Sequence, residues 1–356
     1  MPRVSIKPVW AIRTPSDDTL SPKLIELLVK VHETGNLVAA CHALDMSYRH
    51  GWDLVRAAEQ HFDAPLLHMA RGKGSTLTAL AEKLVWANHR IQARLTPVLD
   101  SLASELQAEL AKVITPDAPS LRVSASYGFS IEKLIDTLND NGTRIQRDYV
   151  TSITAAAALH NDQCDACGIH IPMGSQQARA LSHYAQWLNS DDLWLIDLST
   201  RRQGLMVAPG NPKKIYDLQD LTREDVQFIN RPADSGTRFL LEGLLQEQGI
   251  DPNNIRDYQH SEATHAAVAA YVASQLADAG FGLERPARRF QLEFIPMINE
   301  RYFLITRTHT LEQPAMQQLI ATLQAPAFKS EVNALPGYDS RQCGTVTRWS
   351  EAFDPL

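Results

Sequence analysis

The chain has 356 residues, 44% of them apolar and 21% charged, a balance that excludes disorder or a coiled coil throughout and predicts about two domains. Its net charge of −7 argues against a wholly basic nucleic-acid coat protein. That average hides an asymmetry: residues 1–95 hold 12 Lys/Arg against 9 Asp/Glu, and residues 116–356 hold 21 against 29, so only the first quarter is suited to a polyanion.

In chain order, Val4, Ile6, Val9 and Ile12 predict a short leading strand interrupted by Pro8. Ser21-Pro22 is an N-cap followed by a proline at the first helical position, opening a helix over Lys23–Glu33 with Leu24, Leu27, Leu28 and Val31 on one face. Gly35-Asn36 breaks it before a second helix, Leu37–Ala43. Ser47 caps a third, Tyr48–Phe62, with Trp52, Val55 and Phe62 on one side. Three short helices with such breaks form a helix-turn-helix pattern, and the basic, glycine-rich loop Arg71-Gly-Lys-Gly-Ser-Thr76 suits the wing of a winged helix. A long helical stretch, Leu77–Val113, then carries an apolar stripe of the kind that pairs with another helix, with Pro97 expected to kink or divide it. Thr115-Pro-Asp-Ala-Pro119 reads as a linker.

Beyond the linker strands and helices alternate. Strands are predicted at Leu121–Ser124, Arg144–Tyr149, Ala166–Ile171, Leu193–Leu198, Gly204–Ala208, Val226–Asn230, Phe281–Leu283 and Leu292–Pro296. Helices are predicted at Ser130–Asn139, Thr151/Ser152 to His160, Arg238–Gln248 and His265–Leu276. That alternation implies a mostly parallel α/β sheet long enough for two lobes. The longest apolar stretch, Ala263–Gly282, contains His265, Gln275 and Asp278 and reads as a buried helix, not a membrane span; no partner membrane is expected. Residues 1–13 lack the apolar core of a secretory signal, and four cysteines make no disulfide framework, so the chain reads as a reduced, cytoplasmic protein.

Two segments resemble known modules. Met46-Ser-Tyr-Arg-His-Gly-Trp-Asp53 and Arg71-Gly-Lys-Gly-Ser-Thr-Leu-Thr78, with Trp10 and Thr34-Gly-Asn-Leu37, resemble the winged-helix domain of ModE-like molybdate regulators, a group close to LysR-type regulators. Gly168-Ile-His-Ile171, Asn230-Arg-Pro-Ala-Asp-Ser-Gly-Thr-Arg238, Glu262-Ala-Thr-His265, Ala277-Asp-Ala-Gly-Phe-Gly282 and Glu300-Arg-Tyr302 resemble the periplasmic-molybdate-binding-like effector domain fused to such regulators. The chain departs from that pattern at Gly128, where an acidic residue is more usual, and at Ile171-Pro-Met, where a Leu-x-Asp is.

The resemblances imply a multidomain α/β protein: a winged helix-turn-helix over 1–78, a linker and dimerisation helix over 79–115, and a bilobed type-2 periplasmic-binding-protein-like domain over 116–356. In a winged helix, Ser47, Tyr48, Arg49, His50, Asp53 and Arg56 face the major groove of operator DNA, with Arg71 and Lys73 along the backbone or minor groove. In the acidic domain, helix starts after strands leave N–H groups free for a small anion. The candidates there are Ser126, Thr151, Ser152, Ser235, Gly236 and Thr237, with His170, Arg231, Arg238 and His265 as side-chain donors, although either arginine has the alternative of pairing with an acidic neighbour. The implied effector is molybdate or tungstate, with formate as the alternative anion; no cofactor or metal is implied. Partners are double-stranded DNA, the effector, a second copy of the chain (a dimer, with a tetramer as the larger option) and RNA polymerase as a further candidate.

Two rival classes remain on the sequence alone. One is a cytosolic oxyanion store whose winged helix only dimerises. The other is an enzyme using Cys164-x-x-Cys167 or His170. No Gly-x-Ser-x-Gly elbow, His-Glu-x-x-His pair or dinucleotide loop supports catalysis, and the two cysteines read as small hydrophobes at a strand edge.

Overall fold

A computed structural model describes residues 4–13, 19–70, 74–114 and 120–353. The chain forms two compact units, one over Lys7–Leu95 and one from Thr96 onward. Residues 115–119, where the sequence places its linker, lie outside the described residues.

The first unit packs α1 (Pro22–Thr34), α2 (Leu37–Ala43) and α3 (Tyr48–Phe62) against the antiparallel strands β1 (Leu67–Ala70) and β2 (Gly74–Leu77). The expected caps form: Ser21 Oγ accepts from Lys23 N at 3.3 Å, Asn36 Oδ1 from Val38 N at 2.8 Å, and Ser47 Oγ from His50 N at 3.2 Å. Leu27, Leu28, Leu37, Val55 and Leu66 are fully buried at the centre. Two glycines set the spacing. A Cβ at Gly51 would stand 2.4 Å from Cys41 Sγ, so its absence lets α3 close on α2. Gly74 has φ +86° and a Cβ there would meet the Gly35 carbonyl oxygen at 2.4 Å, the same oxygen that accepts from Ser75 N at 2.9 Å. This ties the start of β2 to the α1–α2 turn. The leading strand does not form: residues 4–12 are irregular, and Trp10 Nε1 instead donates to Asn88 Oδ1 at 2.9 Å. Pro8 removes a ladder donor, and among the described residues the pairing is confined to its end, where Leu20 N donates to the Ile12 carbonyl at 2.9 Å beside an isolated antiparallel bridge between Arg13 and Thr19.

The helix α4 (Ala79–Ile114) runs through Pro97 undivided for 36 residues. With turns of helix on both sides, the one backbone bond that proline removes, worth about 3 kcal/mol in a helix interior, does not end it.

In the second unit the elements are β3 (Ser120–Ala125), α5 (Phe129–Asp140), β4 (Arg144–Tyr149), α6 (Ser152–His160), β5 (Ala166–Pro172), α7 (Gln177–Tyr184), β6 (Leu193–Val207), β7 (Phe228–Ile229), α8 (Gly236–Glu247), α9 (His265–Ala273), β8 (Ala279–Leu283), α10 (Glu284–Arg289), β9 (Glu293–Arg307), α11 (Thr308–Leu311), α12 (Pro314–Gln324), α13 (Pro326–Asn333), β10 (Tyr338–Asp339) and β11 (Val346–Arg348). They build one sheet in the order β4-β3-β5-β9-β6-β8-β7, with β10 and β11 also on β6. The sheet is mixed, correcting the mostly parallel expectation: β3 pairs in parallel with β4 and β5, and β7 with β8, but β9 is antiparallel to β5 and β6, and β6 to β8. Lobe I holds β3–β5, α5–α7, α12 and α13, with its core on both faces of the sheet. Lobe II holds β7, β8, α8 and α9 around Leu205, Phe228, Leu241 and Phe281.

The long strands β6 and β9 run through both lobes. The sequence divides each of them, because Ser199-Thr-Arg-Arg-Gln203 interrupts the apolar run of β6 and only the start of β9 is read as strand. In the fold Ser199, Arg201 and Gln203 are buried along β6. The ladder shifts register between Gln203 and Gly204, where a Cβ would meet the Ile295 carbonyl oxygen at 2.1 Å. The tail after His309 adds α12, α13, β10 and β11 to lobe I, and Trp349 packs on its core while Arg348 lies 4.9 Å over the Trp194 ring. Among the described residues no helix is long and apolar enough to cross a membrane.

Candidate functional site

On α3 the residues singled out for DNA contact form an exposed face. Tyr48, Arg49, His50, Asp53 and Arg56 are exposed, whereas Gly51, Val55 and Ala58 face the core. Ser47 is exposed and spends its oxygen on the N-cap, which holds the first turn in place. Trp52 is only half-buried: Tyr48 stacks on it at 6.3 Å, and the Arg56 guanidinium sits 5.4 Å over its ring. This stack presents Arg56 beside the first-turn residues. Arg71 and Lys73 lie outside the described residues.

In the second unit, candidates from both lobes converge on the crossing strands. On lobe I, His170 of β5 is buried, and its Nδ1 lies 3.3 Å from Ser126 Oγ and 3.2 Å from Ser152 Oγ, the two hydroxyls being 3.4 Å apart. The hydroxyls at Nδ1 both donate and accept, so they suit either tautomer of the neutral ring, and Nε2 is buried and has no partner. The ring stacks on Tyr302 at 3.9 Å, and the Tyr302 hydroxyl donates to the Ser126 carbonyl at 3.2 Å. Gly168 makes room for that hydroxyl, since a Cβ there would stand 2.8 Å from it.

On lobe II, His265 opens α9 with Nε2 at 3.5 Å from Thr237 Oγ1 and Nδ1 buried without a partner. Gly282 leaves space for this ring, as a Cβ would meet Nδ1 at 2.7 Å. Arg231 donates through Nη2 to the Ala263 carbonyl at 2.9 Å, and its Nε is buried and unpaired. Burial, then the charge of Arg201, pulls the Arg231 guanidinium down to about 10.

The histidines respond to the same charges. Burial, then Arg201 and Arg231, holds His170 well below the usual histidine range. Burial, then Arg231, Arg201 and His170, does the same to His265. Neutral imidazoles and cationic guanidiniums of both lobes thus lie within one another's electrostatic reach. The buried Glu300 balances part of that charge, accepting from Arg201 Nε at 2.5 Å and Gln203 Nε2 at 2.7 Å.

A cavity of about 310 Å³ opens beside His170 and Glu300. The first turn of α6 (Thr151, Ser152) and the start of α8 (Ser235, Gly236) both line it, so two helix N-termini face one space. Thr151 and Ser235 also serve as caps, accepting from Thr154 N at 3.3 Å and Arg238 N at 3.1 Å. Arg238 takes the acidic-neighbour alternative: its guanidinium pairs with Glu242 at 3.1 Å and Gln259 Oε1 at 2.8 Å and lies 4.8 Å over Tyr258, inside lobe II.

Sequence reasoning missed Arg201 and Gln203, and used Glu300 and Tyr302 only as marks of a resemblance. The available signal was the alternation Ser199-x-Arg201-x-Gln203, which puts three polar side chains on one face of a strand. Gly128, where the resembled pattern more often has an acid, lies by Arg201: a Cβ would be 3.7 Å from Nη1. The carboxylate on Arg201 is that of Glu300. Cys164 and Cys167 are both buried, and burial pushes both thiols up, which keeps them protonated and poor nucleophiles. Among the described residues no three His, Cys, Asp or Glu side chains gather as a metal site would require.

Residues 135–324, more than half of the chain, match the PBP superfamily domain, and residues 22–82 match the bacterial regulatory helix-turn-helix protein of the lysR family. The uncharacterized Bacillus subtilis protein YvgK is 29% identical over 200 residues, 56% of this chain, and the chain spans 64% of YvgK's length. The molybdenum-pterin-binding protein MopB of Rhodobacter capsulatus is 28% identical over 144 residues, 38% of this chain and 53% of MopB. A solved structure of a Corynebacterium glutamicum OxyR mutant, bound to H2O2, covers 89% of this chain and 94% of its own at a TM-score of 0.45 and 14% identity. The chain therefore belongs to the PBP superfamily domain family and carries, ahead of that domain, a segment that matches the lysR-family bacterial regulatory helix-turn-helix.

Proposed function

We propose that the chain is a LysR-type DNA-binding regulator that senses a small oxyanion, molybdate or tungstate first and formate as the smaller alternative, held between the two lobes by Ser126, Ser152, His170, Arg231, Thr237 and His265, with Thr151, Ser235 and Gly236 lining the adjoining cavity. One observation carries the reading: His170 Nε2, His265 Nδ1 and Arg231 Nε are buried, close to one another's fields, and without partners. An orphaned buried polar group costs about 1–3 kcal/mol, and with the imidazole protons placed on His170 Nε2 and His265 Nδ1 an anion removes that cost for all three at once. The resemblance to a molybdenum-pterin-binding protein agrees with an oxyanion ligand. The cavity of about 310 Å³ exceeds what a bare oxyanion fills, so ordered water or a larger organic anion completes the site.

The DNA side of the proposal assigns Ser47, Tyr48, Arg49, His50, Asp53 and Arg56 to the operator, and Arg71 and Lys73 to its backbone. Dimerisation through α4 follows from the physics of its exposed row: Leu95, Val98, Leu102, Leu106, Leu110 and Val113 are each more than 40% exposed. One winged helix reads few base pairs, and a dimer doubles the site.

The anion reading is tested by thermal melting with molybdate, tungstate, formate and sulfate on the wild type and on a Ser152→Ala/His170→Ala variant. A rise in melting temperature with an oxyanion, lost in the variant, is expected. If every anion leaves the wild type unmoved, or the variant responds equally, the site is wrongly assigned.

A further inference from the structure

The two lobes are joined at the mouth of the 310 Å³ cavity by a second set of contacts, distinct from the anion donors. On the lobe I side stand the turn before α7 and α7 itself; on the lobe II side stands α8. Ser175 Oγ donates to Glu247 Oε2 at 3.0 Å, and Gln176 Nε2 donates to the same oxygen at 2.9 Å. Arg179 Nη1 donates to the Phe239 carbonyl at 2.6 Å, and its guanidinium lies 3.9 Å over the Phe239 ring. His183, one turn further along α7, stacks on that ring at 4.3 Å with planes 16° apart. Ala180, His183 and Phe239 are also walls of the cavity, so this junction closes it.

Gly243 permits the approach. A Cβ at that position would stand 2.0 Å from Gln176 Oε1 and 2.4 Å from Arg179 Nη1. The junction is also incomplete: Gln176 is buried, its amide nitrogen is used, and its Oε1 has no donor. A buried acceptor left unsatisfied costs about 1–3 kcal/mol, a cost that hydration relieves when the junction parts.

We propose that Gln176, Arg179 and His183 on one lobe and Phe239, Gly243 and Glu247 on the other form a clasp that holds the lobes shut over the cavity, so that ligand enters and leaves only when it opens. The clasp goes beyond the anion reading and does not depend on which ligand the cavity takes.

The test therefore uses no ligand. Nitroxide labels at Gln163→Cys and Asn253→Cys, exposed positions on lobe I and lobe II, report the interlobe distance in the full chain by pulsed electron resonance; the four native cysteines are buried. The wild type should give one narrow distance. Gly243→Ala should raise the open population, because its Cβ displaces the flexible ends of Gln176 and Arg179 that make the cross-lobe bonds. Alanine is the better helix former, so this change wedges the clasp without weakening α8. Arg179→Ala, which removes one cross-lobe donor and introduces no bulk, should raise the open population several-fold and serves if the first variant folds poorly. A wild type that is already broad, or an Arg179→Ala variant with native melting and an unchanged distribution, overturns the clasp. Neither result bears on whether an oxyanion binds His170.

Discussion

His170 and His265 show how burial and charge act on single residues here. Both rings are neutral in the folded chain, because burial and the nearby guanidiniums disfavour a further cation. Unfolded, each titrates at the ordinary histidine value near 6.5. As the pH falls below that value, the unfolded chain takes up protons that the folded chain refuses. Stability is therefore full above about pH 6.5 and declines as the pH drops toward the depressed folded values, by up to about 1.4 kcal/mol per pH unit for each ring. Melting of the wild type at about pH 7.5 and pH 5.5 should show this loss, and a His170→Gln/His265→Gln variant should show a smaller one. An equal loss in both would place the acid sensitivity elsewhere. The same reasoning explains why Glu300 matters: without it, Arg201 is a buried cation with no carboxylate, and breaking such a pair costs about 3–5 kcal/mol.

At the scale of elements, α4 carries the clearest expectation. Its row from Val98 to Val113 is apolar and exposed in the isolated chain, which a soluble helix retains only when something covers it. Leu102→Glu with Leu106→Glu should convert a dimer or larger species into monomers in sedimentation velocity, with melting of the effector unit unchanged. Self-association that survives both charges would assign dimerisation to another surface.

The elements also explain what was legible in advance. The helices α2 and α3 and the strand β4 fall where the sequence places them, because Asn36, Ser47 and Asn141-Gly142 are local signals whose chemistry needs no distant partner. The leading strand fails because a strand needs a neighbour that no local signal supplies. The long β6 and β9 were divided because polar residues interrupt their apolar runs, and those residues, Arg201, Gln203 and Glu300, are buried at the site. Tertiary charge pairing overrides periodicity there, and it leaves no trace in the sequence beyond an alternation of polar residues. The caps Thr151 and Ser235 are legible as strand-to-helix turns and His170 only through the Gly168-Ile-His-Ile171 resemblance, whereas the turning of Arg238 toward Glu242 and Gln259 depends on neighbours four and 21 residues away that spacing alone does not favour over the cleft.

For the whole molecule, an exposed face on α3 precedes a domain in which buried side-chain nitrogens of both lobes, His170 on one and Arg231 and His265 on the other, have no partners. An effector changes DNA binding only by the difference in its affinity for two arrangements of the protein, and the donors on separate lobes supply such a difference if both lobes must close to reach one anion. The most direct measurement is a fluorescence-anisotropy titration of the full chain and its Arg49→Ala variant. The DNA comes from upstream of the chain's own gene, with scrambled DNA as control, at two salt concentrations, with and without molybdate, tungstate and formate. The account predicts tight, salt-sensitive preference for the native fragment, a loss of about 1–3 kcal/mol in that preference on Arg49→Ala, and a change in affinity with an oxyanion. Equal weak binding to both fragments, untouched by Arg49→Ala and by every anion, would contradict it and leave an oxyanion store as the better account.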